Sequence, residues 1–211
     1  MGMAIIVNND GLFGLISYLI FNKRLVSGAL KAAFLATDRQ HFVPPAFKKQ
    51  AYADHPLAIG EGQTISQPST VAVMLEALKV EKGHAVLDIG CGSGWTSALL
   101  GQLVGQEGSV TGLERRMKLL IQGRKNLSHF KLPHVQLYLA HDRLGYPENR
   151  FDRILVSASA PSFPEQLLNQ LKPEGILVIP VQSDILICKK DKDENMRQES
   201  LSGFSFVPLI Y

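Results

Sequence analysis

The 211-residue sequence has few of the residues that mark several common protein classes. It contains only two cysteines, Cys91 and Cys188, and neither belongs to a C-x-x-C pair. We therefore expect neither a disulfide framework nor a zinc site, and this cysteine usage is typical of a reducing, cytoplasmic setting. The six histidines show no HExxH or other metal-ligand spacing, so the sequence predicts no metal site.

Excess charge and long hydrophobic runs are also missing. The 22 Lys and Arg residues nearly balance the 19 Asp and Glu residues, and no long basic block occurs, which disfavours a nucleic-acid partner. The most apolar early stretch, Gly11 to Phe21, has about half of the roughly 20 residues that a membrane span needs. No Lys or Arg precedes it, as a signal peptide would require. With 45% hydrophobic residues, the composition predicts a soluble protein with one core and no membrane partner.

The first 45 residues have the pattern of a helical preface. A first helix is predicted after Asp10, a candidate N-cap, from apolar residues at helical spacing: Leu12, Leu15, Ile16 and Leu19. A second helix is predicted over residues 26–37, and Pro44 and Pro45 forbid its continuation. Residues 46–68 are rich in Gly, Pro and polar groups and predict an ordered functional loop, followed by a helix at 69–79.

From residue 84 the pattern alternates between strands and helices. Residues 85–89 are a short, nearly continuous apolar run, typical of a strand that is buried on both faces. Further strands are predicted at 109–114, 135–139, 153–157 and 175–180, and helices at 95–104, 117–130 and 164–171. This alternation predicts an α/β fold with a doubly wound, mostly parallel sheet. The tail predicts an antiparallel hairpin with strands at 184–190 and 199–207 around a turn at 191–195.

We therefore expect a single domain in three parts. Residues 1–82 would form the helical extension and an active-site loop, residues 83–181 a cofactor-binding β/α core, and residues 182–211 the C-terminal hairpin.

The strongest local motif is the run Asp88-Ile89-Gly90-Cys91-Gly92-Ser93-Gly94 between the first parallel strand and its helix. Glycines at this point let the backbone approach a ligand closely. Their spacing is G-x-G-x-G rather than the dinucleotide pattern G-x-G-x-x-G, and an acidic residue precedes them. S-adenosylmethionine carries a sulfonium and an ammonium and no phosphate, so we favour it over a dinucleotide, with Asp88 and the loop amides at its amino-acid end. A tight turn without a ligand is the alternative.

Glu114 ends the next predicted strand, 24 residues after Gly90. An acidic side chain at this position can accept both hydrogen bonds of a ribose diol, in either class of cofactor. The alternative is an exposed strand-end charge beside Arg115 and Arg116.

With this loop, motifs along most of the chain resemble those of the protein-L-isoaspartate O-methyltransferases. The segments that carry the resemblance are His41–Pro44, Gly62–Pro68, Val86–Gly94, Ala158–Pro161, Gln170–Pro173, Leu177–Val181 and Phe206–Leu209. The run G-Q-T-I-S-Q-P at 62–68 is the family-specific element. The resemblance implies a class I, Rossmann-like methyltransferase that acts on isoaspartyl-containing proteins and peptides, and we expect it to be a monomer. It would transfer a methyl group from S-adenosyl-L-methionine to the α-carboxyl of L-isoaspartyl residues, a protein repair reaction.

The resemblance also implies roles for individual residues. Ser66 would be the active-site residue and would contact the substrate, together with Ser159, Ala160 and Val207. The implied cofactor-binding residues are Gln63, Thr64, Ile65, Asp88, Gly90, Cys91, Gly92, Ser93, Gly94, Glu114, His141 and Asp142. Two alternatives stay open: Thr64 and Ser66 could only cap the following helix, and the Ser159 hydroxyl could be satisfied locally.

One departure from the family pattern affects the expected adenine site. Members usually carry Gly-Asp-Gly where this chain has Ala140-His141-Asp142. Asp142 could take over after a one-residue shift, His141 could itself hydrogen-bond the adenine edge, or cofactor affinity could be weakened. This leaves two functional alternatives to repair: a related methyltransferase with a different acceptor, and a cofactor-binding module without turnover.

Overall fold

A computed structural model describes residues 11–210, and it begins with two short helices that pack on the body of the protein. Helix α1 (Gly11–Phe21) buries Leu15, Ile16 and Leu19, as the spacing predicted. Helix α2 spans Gly28–Ala36, two residues later than predicted at its start, because the Ser27 hydroxyl caps it by accepting from the Leu30 N–H at 3.2 Å. Asp10, the predicted cap of α1, lies outside the described residues.

The segment between α2 and the central sheet is more structured than the predicted loop. A 3-10 helix (Pro45–Gln50) precedes an antiparallel pair, β1 (Leu57–Gly60) and β2 (Gln63–Ile65). The turn between the strands holds Glu61 and Gly62 at positive φ, 53° and 71°. Helix α3 (Pro68–Leu78) follows directly and packs on the sheet. The pair β1–β2 thus places residues 63–65 beside the sheet.

The central sheet has seven strands in the order β5-β4-β3-β6-β7-β8-β9. The parallel strands are β3 (Ala85–Ile89), β4 (Ser109–Glu114), β5 (Val135–Leu139), β6 (Phe151–Val156) and β7 (Leu171–Val181). Helices α4 (Trp95–Val104) and α5 (Met117–Leu127) connect the first three. The chain runs outward from β3 to β5 and then returns to β6, so the strand order reverses between β3 and β6. This confirms the predicted doubly wound sheet, whose ligand crevice lies at the carboxyl ends of these strands.

The sheet ends with β8 (Asp184–Lys190), which is antiparallel to β7, and β9 (Met196–Ser202), which is antiparallel to β8. The hairpin is confirmed, but the prediction of its second strand at 199–207 is wrong. The Asp191 carboxylate accepts from the N–H groups of Asp193 and Asn195, at 2.9 and 2.8 Å, and so ends the turn at Asn195. Strand β9 therefore begins three residues early and leaves residues 203–210 outside the ladder.

Other predicted boundaries differ as well, among them that of β6, which begins at Phe151 instead of 153. The predicted helix at 164–171 is a 3-10 helix at Glu165–Gln170, β7 begins at Leu171 instead of 175, and α5 ends at Leu127. Over residues 11–210, no helix combines the length and the apolar character that crossing a bilayer requires.

Candidate active site

The glycine loop turns sharply at the carboxyl end of β3. The N–H groups of Gly90 and Cys91 both donate to the Leu113 carbonyl, at 2.8 and 3.1 Å, which ties the loop to β4. Gly94 has a φ of 89°, and a Cβ there would lie 3.3 Å from the Gly123 carbonyl oxygen on α5. Because a side chain at position 94 would be strained and crowded, glycine fixes the path of the loop into α4.

Asp88 lies beneath this loop and is fully buried. Its Oδ2 accepts from the hydroxyls of Ser97 and Thr96, at 2.6 and 2.7 Å, and so fixes the start of α4. Its Oδ1 is buried and has no hydrogen-bond partner within 3.5 Å among the described residues. Burial raises the pKa of Asp88 to about 6, against the opposing effect of the hydroxyls of Ser97, Thr96 and Ser157.

We expect the substitution Asp88→Asn to remove a pH dependence of stability. Because the pKa of Asp88 is about 6 in the folded state and near 3.8 when unfolded, the folded state holds this proton more tightly. The free energy of unfolding therefore falls as the pH rises between these values. Between pH 4.5 and 7.5 the parent should lose about 2 kcal/mol that Asp88→Asn retains, measured by urea unfolding. Parallel pH curves for the two proteins would contradict this assignment.

A cavity of about 290 Å³ opens beside the glycine loop, and we call it the loop cavity. Glu114 lines it and is only 5% exposed. Its Oε2 accepts from the Gly92 N–H at 2.9 Å and its Oε1 from the Arg116 N–H at 2.8 Å. These two bonds hold the carboxylate in one orientation at the cavity wall, so the alternative of an exposed strand-end charge does not describe Glu114.

Most of the predicted cofactor residues line this cavity or a neighbouring one. Gln63, Thr64, Gly90, Gly92, Glu114, His141 and Asp142 line the loop cavity. The neighbouring space of about 40 Å³, which we call the inner cavity, is lined by Thr64, Ile65, Gly90, Cys91, Gly92 and Ser93, among others. Asp88 and Gly94 line neither, so the structure does not bring them to a cavity surface. His141 and Asp142 are both exposed at the wall, and the geometry does not choose between them.

Two of the described residues that line the inner cavity carry sulfur, Cys91 and Met74. Burial, with the carboxylates of Asp88 and Glu114 adding to it, raises the pKa of the Cys91 thiol well above its ordinary value. The thiol therefore stays neutral and is not a nucleophile at neutral pH.

A larger open space of about 710 Å³, which we call the outer cleft, shares Thr64 of β2 with the two cavities. Seven of its lining residues carry hydroxyl groups: Thr64, Ser66, Ser69, Thr70, Ser157, Ser202 and Ser205. Thr64 and Ser157 also line both other cavities, and Ser66 lines the inner cavity as well. Thr64 and Ser157 therefore lie where the three spaces meet, and Ser66 lies between the outer cleft and the inner cavity.

Ser157 was not singled out from the sequence. It directly follows β6, the strand beside β3, and its N–H donates to the Ile89 carbonyl at 2.8 Å. The available signal was its place at the end of a strand next to the reversal of strand order, where ligands bind in such sheets.

The predicted substrate residues divide into two groups. Val207 lines the outer cleft and the loop cavity. Ser159 and Ala160 line none of the three spaces. The Ser159 hydroxyl donates to the Gln182 carbonyl at 2.9 Å, as its alternative reading anticipated, and its N–H donates to the Val207 carbonyl at 2.8 Å. Ser159 thus holds the segment that carries Val207.

The alternative in which Thr64 and Ser66 cap α3 is not what the structure has. The N-cap of α3 is Gln67, which makes no side-chain capping bond. The Ser69 N–H in the first turn is satisfied instead by the Asp54 carboxylate at 2.8 Å. The Ser66 hydroxyl is therefore not used as a helix cap.

Arg39 is a second residue that sequence reasoning missed. It is fully buried, and its guanidinium donates to the carbonyls of Ala51, Ala53, His55 and Ser66 at 2.9 to 3.3 Å. The guanidinium carbon also lies 5.4 Å from the ring centre of Trp95, the first residue of α4. Burial lowers the pKa of Arg39 to about 10, so it stays charged at neutral pH. One side chain thus joins the backbone of Ser66 to the helix that follows the glycine loop.

Comparisons with known proteins agree with this arrangement. Residues 13–211 match the family model for protein-L-isoaspartate(D-aspartate) O-methyltransferase. The protein-L-isoaspartate O-methyltransferase of Methanothrix thermoacetophila is 42% identical over 192 residues, 89% of this chain and 90% of the relative. That of Methanosarcina mazei is 42% identical over 182 residues, 84% of this chain and 75% of the relative.

Solved structures share the fold. One protein-L-isoaspartate O-methyltransferase has a TM-score of 0.82 at 26% identity, over 93% of this chain and 65% of that one. A Plasmodium falciparum protein, provisionally assigned to the same enzyme and solved with S-adenosyl-L-homocysteine, has a TM-score of 0.83 at 24% identity, over 95% and 99% of the two chains. The chain therefore belongs to the protein-L-isoaspartate(D-aspartate) O-methyltransferase family.

Proposed function

We propose that this protein transfers the methyl group of S-adenosylmethionine to the α-carboxyl of L-isoaspartyl residues in damaged proteins and peptides. The observation that carries the proposal is the shared wall between the loop cavity and the outer cleft. Thr64 and Ser157 line both spaces, so a donor in one and a carboxylate in the other would meet at these residues. Family membership supports the same activity.

The residues of the loop and inner cavities fit S-adenosylmethionine. The Glu114 carboxylate can accept from the ribose hydroxyls, since each oxygen has a lone pair beyond the amide bond it already makes. The inner cavity adjoins the loop at Gly90 and Gly92 and would take the amino-acid end. The partnerless Oδ1 of Asp88 supplies negative potential below this end, which suits an ammonium and a sulfonium. When bound, the cofactor supplies an electrophilic methyl group.

The outer cleft fits an acceptor that needs no base. A peptide carboxylate has a pKa of roughly 3.5 to 4, so it is already ionised at pH 7. No histidine, lysine or acidic side chain is among the described residues that line the cleft. Hydroxyl groups at Ser66 and Ser157 can donate to one carboxylate oxygen and leave the other free to attack. We propose that Ser66 orients the acceptor in this way, with Val207 beside the peptide.

The test is labelled methyl transfer from S-adenosylmethionine to a matched pair of peptides, one isoaspartyl and one aspartyl. We expect methylation of the isoaspartyl peptide alone. Ser66→Ala should lower kcat/KM about 10-fold or more, the loss of one hydrogen bond to a charged group. Ser205→Ala, which removes another hydroxyl of the same cleft, is the matched control and should change little.

Two outcomes would point elsewhere. Methylation of other acceptors without preference for isoaspartate would favour a redirected methyltransferase. Tight cofactor binding with no acceptor in a broad screen would favour a binding module without turnover.

We also propose that the protein acts as a cytoplasmic monomer without a nucleic-acid partner. Both cysteines are free thiols in the structure, and both are buried, which suits a reducing compartment. Light scattering at working concentrations tests the monomer.

A further inference from the structure

We propose that Arg24 forms an anion subsite in the outer cleft that selects isoaspartyl substrates with a nearby acidic side chain. This inference rests on the proposed function and adds a substrate preference to it. Arg24 follows α1 by three residues and lies outside every motif that carries the family resemblance.

The charge of the cleft is concentrated in this one residue. Sixteen described residues line the outer cleft, and Arg24 is the only one with an ionised side chain. Among residues 11–210, the Arg24 guanidinium makes no hydrogen bond and no ion pair within the protein. An unpaired cation on the wall of a cleft that binds an anionic peptide attracts further negative charge on that peptide.

The Asp54 carboxylate, which acts on the same Tyr18 hydroxyl as Arg24, is already in use. The Asp54 carboxylate accepts from the Ser69 N–H at 2.8 Å and interacts with the Tyr18 hydroxyl. The positive charge of Arg24 has the opposite effect on the same Tyr18 hydroxyl: it lowers the Tyr18 pKa, whereas burial and Asp54 raise it. Asp54 forms no ion pair with Arg24, so the charge of Arg24 stays available to a ligand.

The backbone around Arg24 is held against the cleft. The Arg24 N–H donates to the Leu19 carbonyl at 2.9 Å. Two residues further on, the Glu76 carboxylate of α3 accepts from the N–H groups of Val26 and Ser27, each at 2.7 Å. Helix α3 also provides part of the cleft wall, so Arg24 is anchored to that wall and only its side chain must become ordered on binding.

The size of the cleft limits which substrate positions Arg24 can reach. A cube of the cleft's volume, 710 Å³, has an edge of about 9 Å. An extended peptide advances about 3.3 Å per residue, so the subsite reads side chains within about three residues of the isoaspartyl position.

The test uses isoaspartyl peptides that differ only in Glu or Gln at each of the three positions on either side. For at least one position, the parent should show a Glu-to-Gln ratio of kcat/KM of about two to five, arising in KM and falling with added salt. Arg24→Gln should bring the ratio to about one, and Arg24→Glu should reverse it. Lys23→Gln removes the neighbouring exposed charge, which does not line the cleft, and should keep the parent's ratio.

Peptide binding measured by fluorescence anisotropy gives the same ratio without turnover. A ratio of one in the parent at every position, or a ratio that survives in Arg24→Gln, would overturn the Arg24 subsite. If no peptide is methylated, the proposed function fails, but the binding ratios still decide the subsite. If neutral peptides are methylated and no ratio appears, the proposed function stands and the subsite does not.

Discussion

Replacing Arg39 by alanine is expected to lower the free energy of unfolding by about 3 to 5 kcal/mol, since each buried carbonyl left without a donor costs about 1 to 3 kcal/mol and water relieves part of this cost. The guanidinium donates to four backbone carbonyls at once, and all four residues lie outside the helices and strands. Without it, the Ala53 carbonyl keeps the His55 N–H, but the other carbonyls lose the guanidinium donor, and a space opens beside Trp95. Urea unfolding of the parent and the variant measures the difference.

Arg39→Lys separates a positioning role from a purely structural one. Lysine keeps the charge but lacks the planar fork that reaches carbonyls on two sides. We expect Arg39→Lys to fold and to bind cofactor nearly as well as the parent, since Arg39 lines none of the three cavities. Its kcat should nevertheless fall about 10-fold or more, because the Ser66 backbone is no longer held and small displacements of reacting groups are costly.

Two results would contradict the role proposed for Arg39. An Arg39→Ala protein with the parent's stability would show that the carbonyls find other donors. A lysine variant with a normal kcat and weakened cofactor binding would show that the side chain serves the glycine loop through Trp95 instead of Ser66.

The sequence predicted the central sheet well because its signals are local. Strands buried on both faces show as continuous apolar runs, and glycines mark the loop after β3. Family motifs then located Ser66 and the 63–65 segment, which the structure brings beside the loop. These features depend on residues that are close together in the chain.

Arg39 and Ser157 escaped sequence reasoning for physical reasons. The acceptors of Arg39 lie 12 to 27 residues away, so nothing near it in sequence distinguishes it from a surface cation. Ser157 acquires its place only when β6 pairs with β3, a contact between strands that are more than 60 residues apart in the chain. The prediction of the β9 boundary was wrong for a different reason: the single Asp191 side chain sets where the turn ends.

Glu114→Ala is expected to weaken binding of S-adenosylmethionine or S-adenosylhomocysteine about 100-fold. Two hydrogen bonds from ribose hydroxyls to a carboxylate would be lost, and each bond to a charged group contributes about 1.5 to 3 kcal/mol, partly offset by water. The carboxylate also holds the Gly92 N–H, so the glycine loop loses an anchor as well. Isothermal titration with S-adenosylhomocysteine measures the affinity, because this product binds without turnover.

Glu114→Gln distinguishes the two losses. Its amide oxygen can still accept from the Gly92 N–H, but the amide nitrogen cannot accept from a second hydroxyl. We expect an intermediate loss of about 10-fold. The cofactor-free protein should lose some stability as well, because the amide nitrogen cannot accept from the Arg116 N–H. An affinity within threefold of the parent for Glu114→Ala would remove Glu114 from the ribose site.

The same titration on His141→Ala and Asp142→Ala identifies the adenine partner, because a loss of affinity in only one variant shows that its side chain binds the adenine. Unchanged affinity in both would show that neither side chain contributes, and that the departure at 140–142 leaves Glu114 and the loop amides to hold the cofactor.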